Sequence, residues 1–73
     1  MTTAENRRIA SRWIPILQKA NGKPVHKFTL MEVVDMSNRQ FADFKKWFMW
    51  KFEHNVKFED DCFRYISDEV GKN

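Results

Sequence analysis

The chain has 73 residues, a net charge of +3 and only two glycines and two prolines, which predicts one small domain spanning residues 1–73 without an internal linker. One cysteine excludes an intramolecular disulfide, and two histidines far apart in sequence argue against a structural zinc site, so we expect no metal and no cofactor. No apolar run approaches the roughly 20 residues of a membrane span, so we expect no membrane partner and, with an unpaired cysteine and a polar N-terminus, a cytoplasmic location.

Charge is distributed unevenly along the chain. Residues 1–27 hold six basic side chains against one acidic, residues 28–53 hold four of each, and residues 54–73 hold three basic against five acidic. A dedicated nucleic-acid binder usually has a larger positive excess and does not end in an acidic segment. The distribution therefore favours a protein that docks on a partner of mixed charge.

The first predicted element is a helix over residues 3–20. Thr2 and Glu5 have the spacing of a capping box, in which the two side chains bond to the free amides of the first turn. Pro15 removes one amide donor and crowds the carbonyl four residues back, so we expect a kink or a break into two shorter helices near it. An Asn-Gly pair follows and is typical of a left-handed helix cap.

Three further elements follow in the middle of the chain. Residues 25–28 alternate apolar and polar side chains and predict a short strand. Thr29 and Ser37 each precede Glu or Gln by three residues, and these capping boxes predict a short helix over 30–35 and a long one over 38–53. Two helices joined by a polar cap form a helix-turn-helix.

The C-terminal part allows two interpretations. Two alternating runs flank a turn at Asp60 and Asp61, which predicts a β-hairpin over residues 56–66 with a frayed tail at 67–73. In the alternative, Asp60 caps a final helix over residues 62–70.

The order of helix, strand, short helix, long helix and hairpin, together with the stretch TLMEVVDMSNRQFADF, resembles the winged helix-turn-helix family. The resemblance implies an α+β domain of three helices plus a C-terminal β-hairpin. A C-terminal helix would instead make the chain all-α.

The long helix carries more aromatic rings than one buried face needs. At about 100° per residue, one stripe holds four phenylalanines, which we expect in the core: Phe41, Phe44, Phe48 and Phe52. Trp50 points away from that stripe, on the same side as Arg39 and Lys46. Either another element covers Trp50, or it is an exposed ring in a basic patch of the kind that anchors protein interfaces.

A helix-turn-helix raises the hypothesis of DNA binding. The side chains that would read bases lie at the start of the long helix: Asn38, Arg39 and Gln40. The same helix carries Asp43, and the predicted hairpin tip is acidic where a DNA-contacting wing needs Lys or Arg. No Ser/His/Asp or Cys/His set has usable spacing and no glycine-rich phosphate loop occurs, so we expect no enzymatic activity.

The whole chain, in its length and in its opening MTTAENRRIASRWIPILQKANGKPV, resembles the small transcription regulators that lytic bacteriophages make to bind the RNA polymerase of their bacterial host. The resemblance implies a protein that inhibits transcription initiation by interfering with σ factor and promotes antitermination. The implied partners are the large polymerase subunits, contacted by a monomer in the host cytoplasm, with nucleic-acid contact secondary or absent.

On this hypothesis a basic, aromatic surface binds the polymerase. Its predicted members are Arg7, Arg8, Arg12, Arg39, Lys46 and Trp50. The alternative hypothesis is a winged-helix DNA-binding regulator of the repressor or excisionase type that reads its site with the start of the long helix.

Overall fold

The computed structural model describes residues 2–66. Its elements are α1 (Thr3–Ala20), β1 (Val25–His26), α2 (Lys27–Val34), α3 (Asn38–Lys51), β2 (Val56–Glu59) and β3 (Cys62–Tyr65). Three helices and a three-stranded antiparallel sheet make a small α+β domain with winged-helix-like element order. The all-α alternative is therefore wrong, and the tail predicted over 67–73 lies outside the described residues.

Helix α1 begins with the predicted capping box. The Glu5 amide donates to the Thr2 hydroxyl oxygen and the Thr2 amide donates to the Glu5 carboxylate, both over 3.2 Å. The helix continues through Pro15 to Ala20, so the predicted break into two shorter helices is wrong. Pro15 and Ser11, whose carbonyl loses its helical donor, are both exposed, so water can satisfy that carbonyl and the helix tolerates the proline.

The boundary between β1 and α2 differs from the prediction. The strand ends at His26 instead of residue 28, and α2 begins at Lys27 and ends at Val34 instead of spanning 30–35. The N-cap is His26, whose Nδ1 accepts a hydrogen bond of 3.1 Å from the Phe28 amide. Histidine is outside the preferred set of N-cap residues, which is why the pattern placed the cap at Thr29.

Helix α3 follows α2 after a turn of three residues. Asp35 caps α2 in the left-handed conformation, and Ser37 and Gln40 form the predicted capping box of α3. The helix ends at Lys51 instead of residue 53, with Phe52 as its C-cap.

The wing is the predicted hairpin. β3 lies between β1 and β2 and pairs antiparallel with both. Asp60 and Asp61 join β2 to β3 with φ angles of 54° and 62°, the two positive values that a tight hairpin turn requires. Asp residues adopt this region more readily than most side chains because their short polar group bonds locally.

One core joins α1, α2, α3 and the sheet, and Trp13 lies at its centre. Its side chain is fully buried, and its ring centroid lies 4.7 Å from that of Phe44 and 5.4 Å from those of Phe48 and Phe63. The indole N–H donates to the carbonyl oxygen of Leu30 over 3.0 Å. Of the predicted phenylalanine stripe, Phe41, Phe44 and Phe48 are buried, whereas Phe52 is only partly buried.

We predict that Trp13→Phe lowers the free energy of unfolding by about 1–3 kcal/mol, because it removes both ring volume and the hydrogen bond to Leu30. Thermal unfolding should show a fall in Tm of roughly 4–8 °C per kcal/mol. Trp47→Phe, at a half-buried position on the flank of the core, is the control and should lower the free energy of unfolding by a smaller amount. Equal effects of the two substitutions would contradict the central role of Trp13.

Candidate partner-binding site

The outer face of α3 carries an exposed tryptophan among charged side chains. Trp50 is 70% exposed, and Arg39, Asp43 and Lys46 precede it on the same side of the helix at steps of four, three and four residues. All three charged residues are exposed. The face extends about 17 Å along the helix axis from Arg39 to Trp50.

Folding alone does not account for the two ends of this face. Trp50 lies opposite the buried stripe, so its ring leaves apolar area in water that a smaller polar residue would not. Arg39 lies in the first turn of α3, where the helix dipole disfavours a positive charge, and no acidic residue occurs in that turn. Tryptophan and arginine are the residue types most enriched at the energetic centres of protein interfaces.

A shallow apolar hollow continues the face on one side. It has a volume of about 330 Å³ and is lined by Phe41, Ala42, Lys45, Lys46 and Met49. Lys45 extends over the Phe58 ring with 4.0 Å between its nitrogen and the ring centroid, an attractive cation–π arrangement. Lys45 therefore also contacts the wing, whereas Lys46 stays at the rim beside Trp50.

The arginines of α1 do not join Arg39, Lys46 and Trp50 in one patch. Arg8 and Arg12 line a groove between α1 and the α2–α3 turn. Arg7 lines a different hollow, where α1 lies beside the C-terminal end of α3. The structure thus distributes the six predicted residues over three surfaces.

The groove beside Arg8 and Arg12 has a volume of about 290 Å³. Its apolar lining comes from Ile9, Val33, Val34 and Met36. None of these four apolar residues was predicted from the sequence as a site residue. Val33 is 39% exposed. The sequence feature that could have indicated its place in the groove is an apolar residue next to the end of the short helix α2.

Glu5 is the acidic residue on the α1 side of the groove. Hydrogen bonds from the Thr2 backbone amide and, second, from the Thr2 hydroxyl lower the pKa of this carboxyl below its ordinary value of 4.5. The carboxylate is therefore ionised near neutral pH and already holds two donors of its own helix cap.

The residues predicted to read DNA are all exposed at the start of α3. The Gln40 side-chain carbonyl, however, already accepts a hydrogen bond of 2.9 Å from the Ser37 amide. The tip of the wing is also held close to α2, because the Lys27 amide donates to the Asp61 carbonyl oxygen over 2.9 Å and the Lys27 ammonium lies 3.4 Å from the Asp61 carboxylate. The remaining tip residues, Glu59 and Asp60, are exposed acids.

Within residues 2–66, no helix is long and apolar enough to cross a membrane. In the same part of the chain, no three side chains of His, Cys, Asp or Glu come together as a metal site. No protein-family model, curated protein sequence or solved structure matches the chain.

We predict that iodide quenches the fluorescence of Trp50 in the free protein, since its ring is exposed and positive neighbours attract the anion. Trp13 is fully buried and Trp47 half-buried, so Trp50→Phe should remove most of the quenchable emission while Trp47→Phe retains it. Iodide titrations of the three proteins make the measurement. Unchanged quenching in Trp50→Phe would show that this ring is covered.

We predict a pH-dependent contribution of Glu5 to stability. Its folded-state pKa lies below 4.5, so the contribution is complete above that pH and is lost as the pH falls through the folded-state value. In urea titrations, the difference between wild type and Glu5→Ala should therefore shrink from neutral pH to about pH 3. Gln40→Ala removes the uncharged partner of the other capping box. The free energy of unfolding that this substitution removes should stay constant between neutral pH and about pH 3.

Proposed function

We propose that this chain is a bacteriophage protein that binds the RNA polymerase of its bacterial host. In this proposal it inhibits transcription initiation by interfering with σ factor and promotes antitermination. Two things support it: the resemblance of the whole chain to phage transcription regulators, and the exposed Trp50 on the charged outer face of α3. The exposed ring is the observation that carries the argument for a protein partner.

The proposed mechanism is steric and competitive. Trp50, Arg39 and Lys46 make the main contact with the large polymerase subunits, and the α1 arginines contribute from the adjoining surfaces. A protein that binds the σ-free polymerase better than the σ-bound form shifts the equilibrium away from initiation by that difference in affinity. In this proposal the chain acts as a monomer in the host cytoplasm, without catalytic activity or a cofactor.

The alternative proposal is a winged-helix DNA-binding regulator. The observation that favours it is the helix-turn-helix order of α2 and α3, with Asn38 and Arg39 exposed at the start of the second helix. Against it stand the acidic wing tip and the participation of Gln40 in the helix cap. DNA phosphates would meet negative charge where a wing contacts the backbone.

We predict that the immobilised protein recovers the large RNA polymerase subunits from a bacterial lysate. With purified polymerase, Trp50→Ala should weaken binding about 30-fold, which corresponds to the roughly 2 kcal/mol of an interface hot spot. Phe28→Ala is the matched control, since Phe28 is also an exposed aromatic residue, at 56%, and lies on α2, outside the proposed surface. It should bind like wild type.

Two results would count against the polymerase proposal. The first is a lysate capture without the polymerase subunits. The second is tight binding to random duplex DNA with a steep dependence on salt, which reports many phosphate contacts. The second result, together with loss of DNA binding in Arg39→Ala but not in Trp50→Ala, would favour the winged-helix alternative.

A further inference from the structure

The hollow that Arg7 lines, between α1 and the C-terminal end of α3, is apolar with a basic rim. We call it the α1–α3 hollow; its volume is about 240 Å³. Arg7 and Lys51 are its charged residues, and no carboxylate from the described part of the chain takes part in the lining. The other lining residues are Ala10, Ser11, Ile14, Trp47 and Phe52.

The polar groups at this hollow are hydrogen-bond donors. Arg7 and Lys51 are exposed, and neither takes part in an ion pair in the described part of the chain. The Trp47 indole N–H is accessible and has no acceptor within the same residues. The Ser11 hydroxyl already donates to the Arg8 carbonyl oxygen over 2.6 Å. A ligand of this hollow must therefore supply acceptors, and a carboxylate supplies them together with a negative charge.

Trp47 connects the α1–α3 hollow to the Trp50 face. It lies three residues before Trp50, which places the two side chains about 60° apart around α3 and about 4.5 Å apart along its axis. Its ring packs against those of Phe44 and Phe52, with centroid separations of 5.8 and 6.3 Å, and these contacts hold it half-buried. A partner that covers Trp50 therefore lies next to the hollow and can also contact Arg7.

The surroundings favour a protein segment over a nucleic acid. Asp43 lies one turn before Trp47 on α3 and Glu53 lies two residues after Lys51, and both carboxylates are exposed. A continuous phosphate backbone would meet these charges, whereas a single side-chain carboxylate can pair with Arg7 through two parallel hydrogen bonds. The volume is below the roughly 300–1,000 Å³ of small-molecule pockets, which suits one or two side chains of a larger partner.

We propose that the α1–α3 hollow receives an acidic, apolar segment of the protein partner that covers Trp50. One apolar side chain of this segment packs on Ile14 and Phe52, and carboxylates beside it pair with Arg7 and Lys51. The inference rests on the proposed function, because the partner is the polymerase contacted through Trp50. It adds a second contact to that site and the chemical class of the segment that makes it.

Zero-length crosslinking tests which group of the partner contacts Lys51. A water-soluble carbodiimide couples an amine to a carboxylate in contact with it and is itself converted to a urea. In the complex with purified bacterial RNA polymerase, we expect mass spectrometry to find Lys51 joined to an Asp or Glu beside an apolar residue of a large subunit. Lys51→Arg keeps the charge but lacks the reactive amine, so it should bind like wild type and lose this crosslink.

Charge reversal on α1 measures the contribution of the basic rim. Arg7→Glu and Lys19→Glu change the net charge equally, but Lys19 lies about 120° from Arg7 around α1 and does not line the hollow. We expect Arg7→Glu to weaken polymerase binding at least about tenfold and Lys19→Glu to have little effect. Ile14→Ser leaves the charge unchanged and should also weaken binding, which separates apolar contact from long-range attraction. Circular dichroism checks that each variant is folded.

A synthetic peptide separates this inference from the polymerase proposal. A short fluorescein-labelled peptide in which Leu alternates with Glu is added to the full chain without polymerase, and its binding is followed by fluorescence anisotropy. We expect methyl chemical-shift changes at Ala10 and Ile14, and none at Val33 or Met49, which line other surfaces. The same peptide with Lys in place of Glu should bind at least about tenfold more weakly.

Each contrary outcome has a distinct meaning. An equal loss in Arg7→Glu and Lys19→Glu would overturn the inference, because the effect would then come from net charge alone. Crosslinks from Lys46 and none from Lys51 would also overturn it. Tighter binding of a single-stranded oligonucleotide than of the acidic peptide, lost in Arg7→Glu, would assign the hollow to nucleic acid. Failure of the wild type to bind polymerase, with the acidic peptide still shifting Ile14, would contradict the proposed function while supporting an acidic ligand for the hollow.

Discussion

The burial of Trp13 is the interaction on which the rest of the fold depends. Its ring meets rings from α3 and β3, and its single polar atom bonds to a carbonyl of α2. A buried indole N–H without an acceptor would destabilise the folded state. The Leu30 carbonyl oxygen is that acceptor, so burial of Trp13 also fixes the position of α2. Because this one side chain of α1 contacts α2, α3 and β3, it holds the helix-turn-helix and the wing against α1.

The side chains on the outer face of α3 do not take part in this core. Phe44, Phe48 and Phe63 fill the space around Trp13, and the outer face of α3 lies on the opposite side of its helix. An exposed Trp50 there makes no contribution to the core, and Arg39 stands against the helix dipole. The groove beside Arg12 likewise forms because α1 packs across the α2–α3 turn. The proposed partner contact is therefore built on Trp50 and Arg39, which lie outside the core.

A winged-helix arrangement does not by itself determine what the protein binds, because function resides in the surface residues that a fold presents. Here the wing is short, its turn residue Asp61 is bound to the first residue of α2, and its tip is acidic. The same scaffold with a basic wing would favour DNA. The acidic wing and the exposed Trp50 are the two observations on which the proposal of a protein partner rests.

Local patterns in the sequence determined the element types, the capping boxes at Thr2 and Ser37, and the buried stripe of α3, because caps and helical periodicity act over a few residues. The exposure of Trp50 followed from the same periodicity only as one of two alternatives. The start of α2 could not be predicted, since His26 is an unusual cap and β1 exists only through pairing with β3. The continuity of α1 through Pro15 depended on which side of the helix faces solvent. Helical periodicity already places Arg7 and Arg12 about 140° apart around α1. Tertiary packing alone decided that Val33 lines a groove with Arg12, because that relation joins residues far apart in sequence.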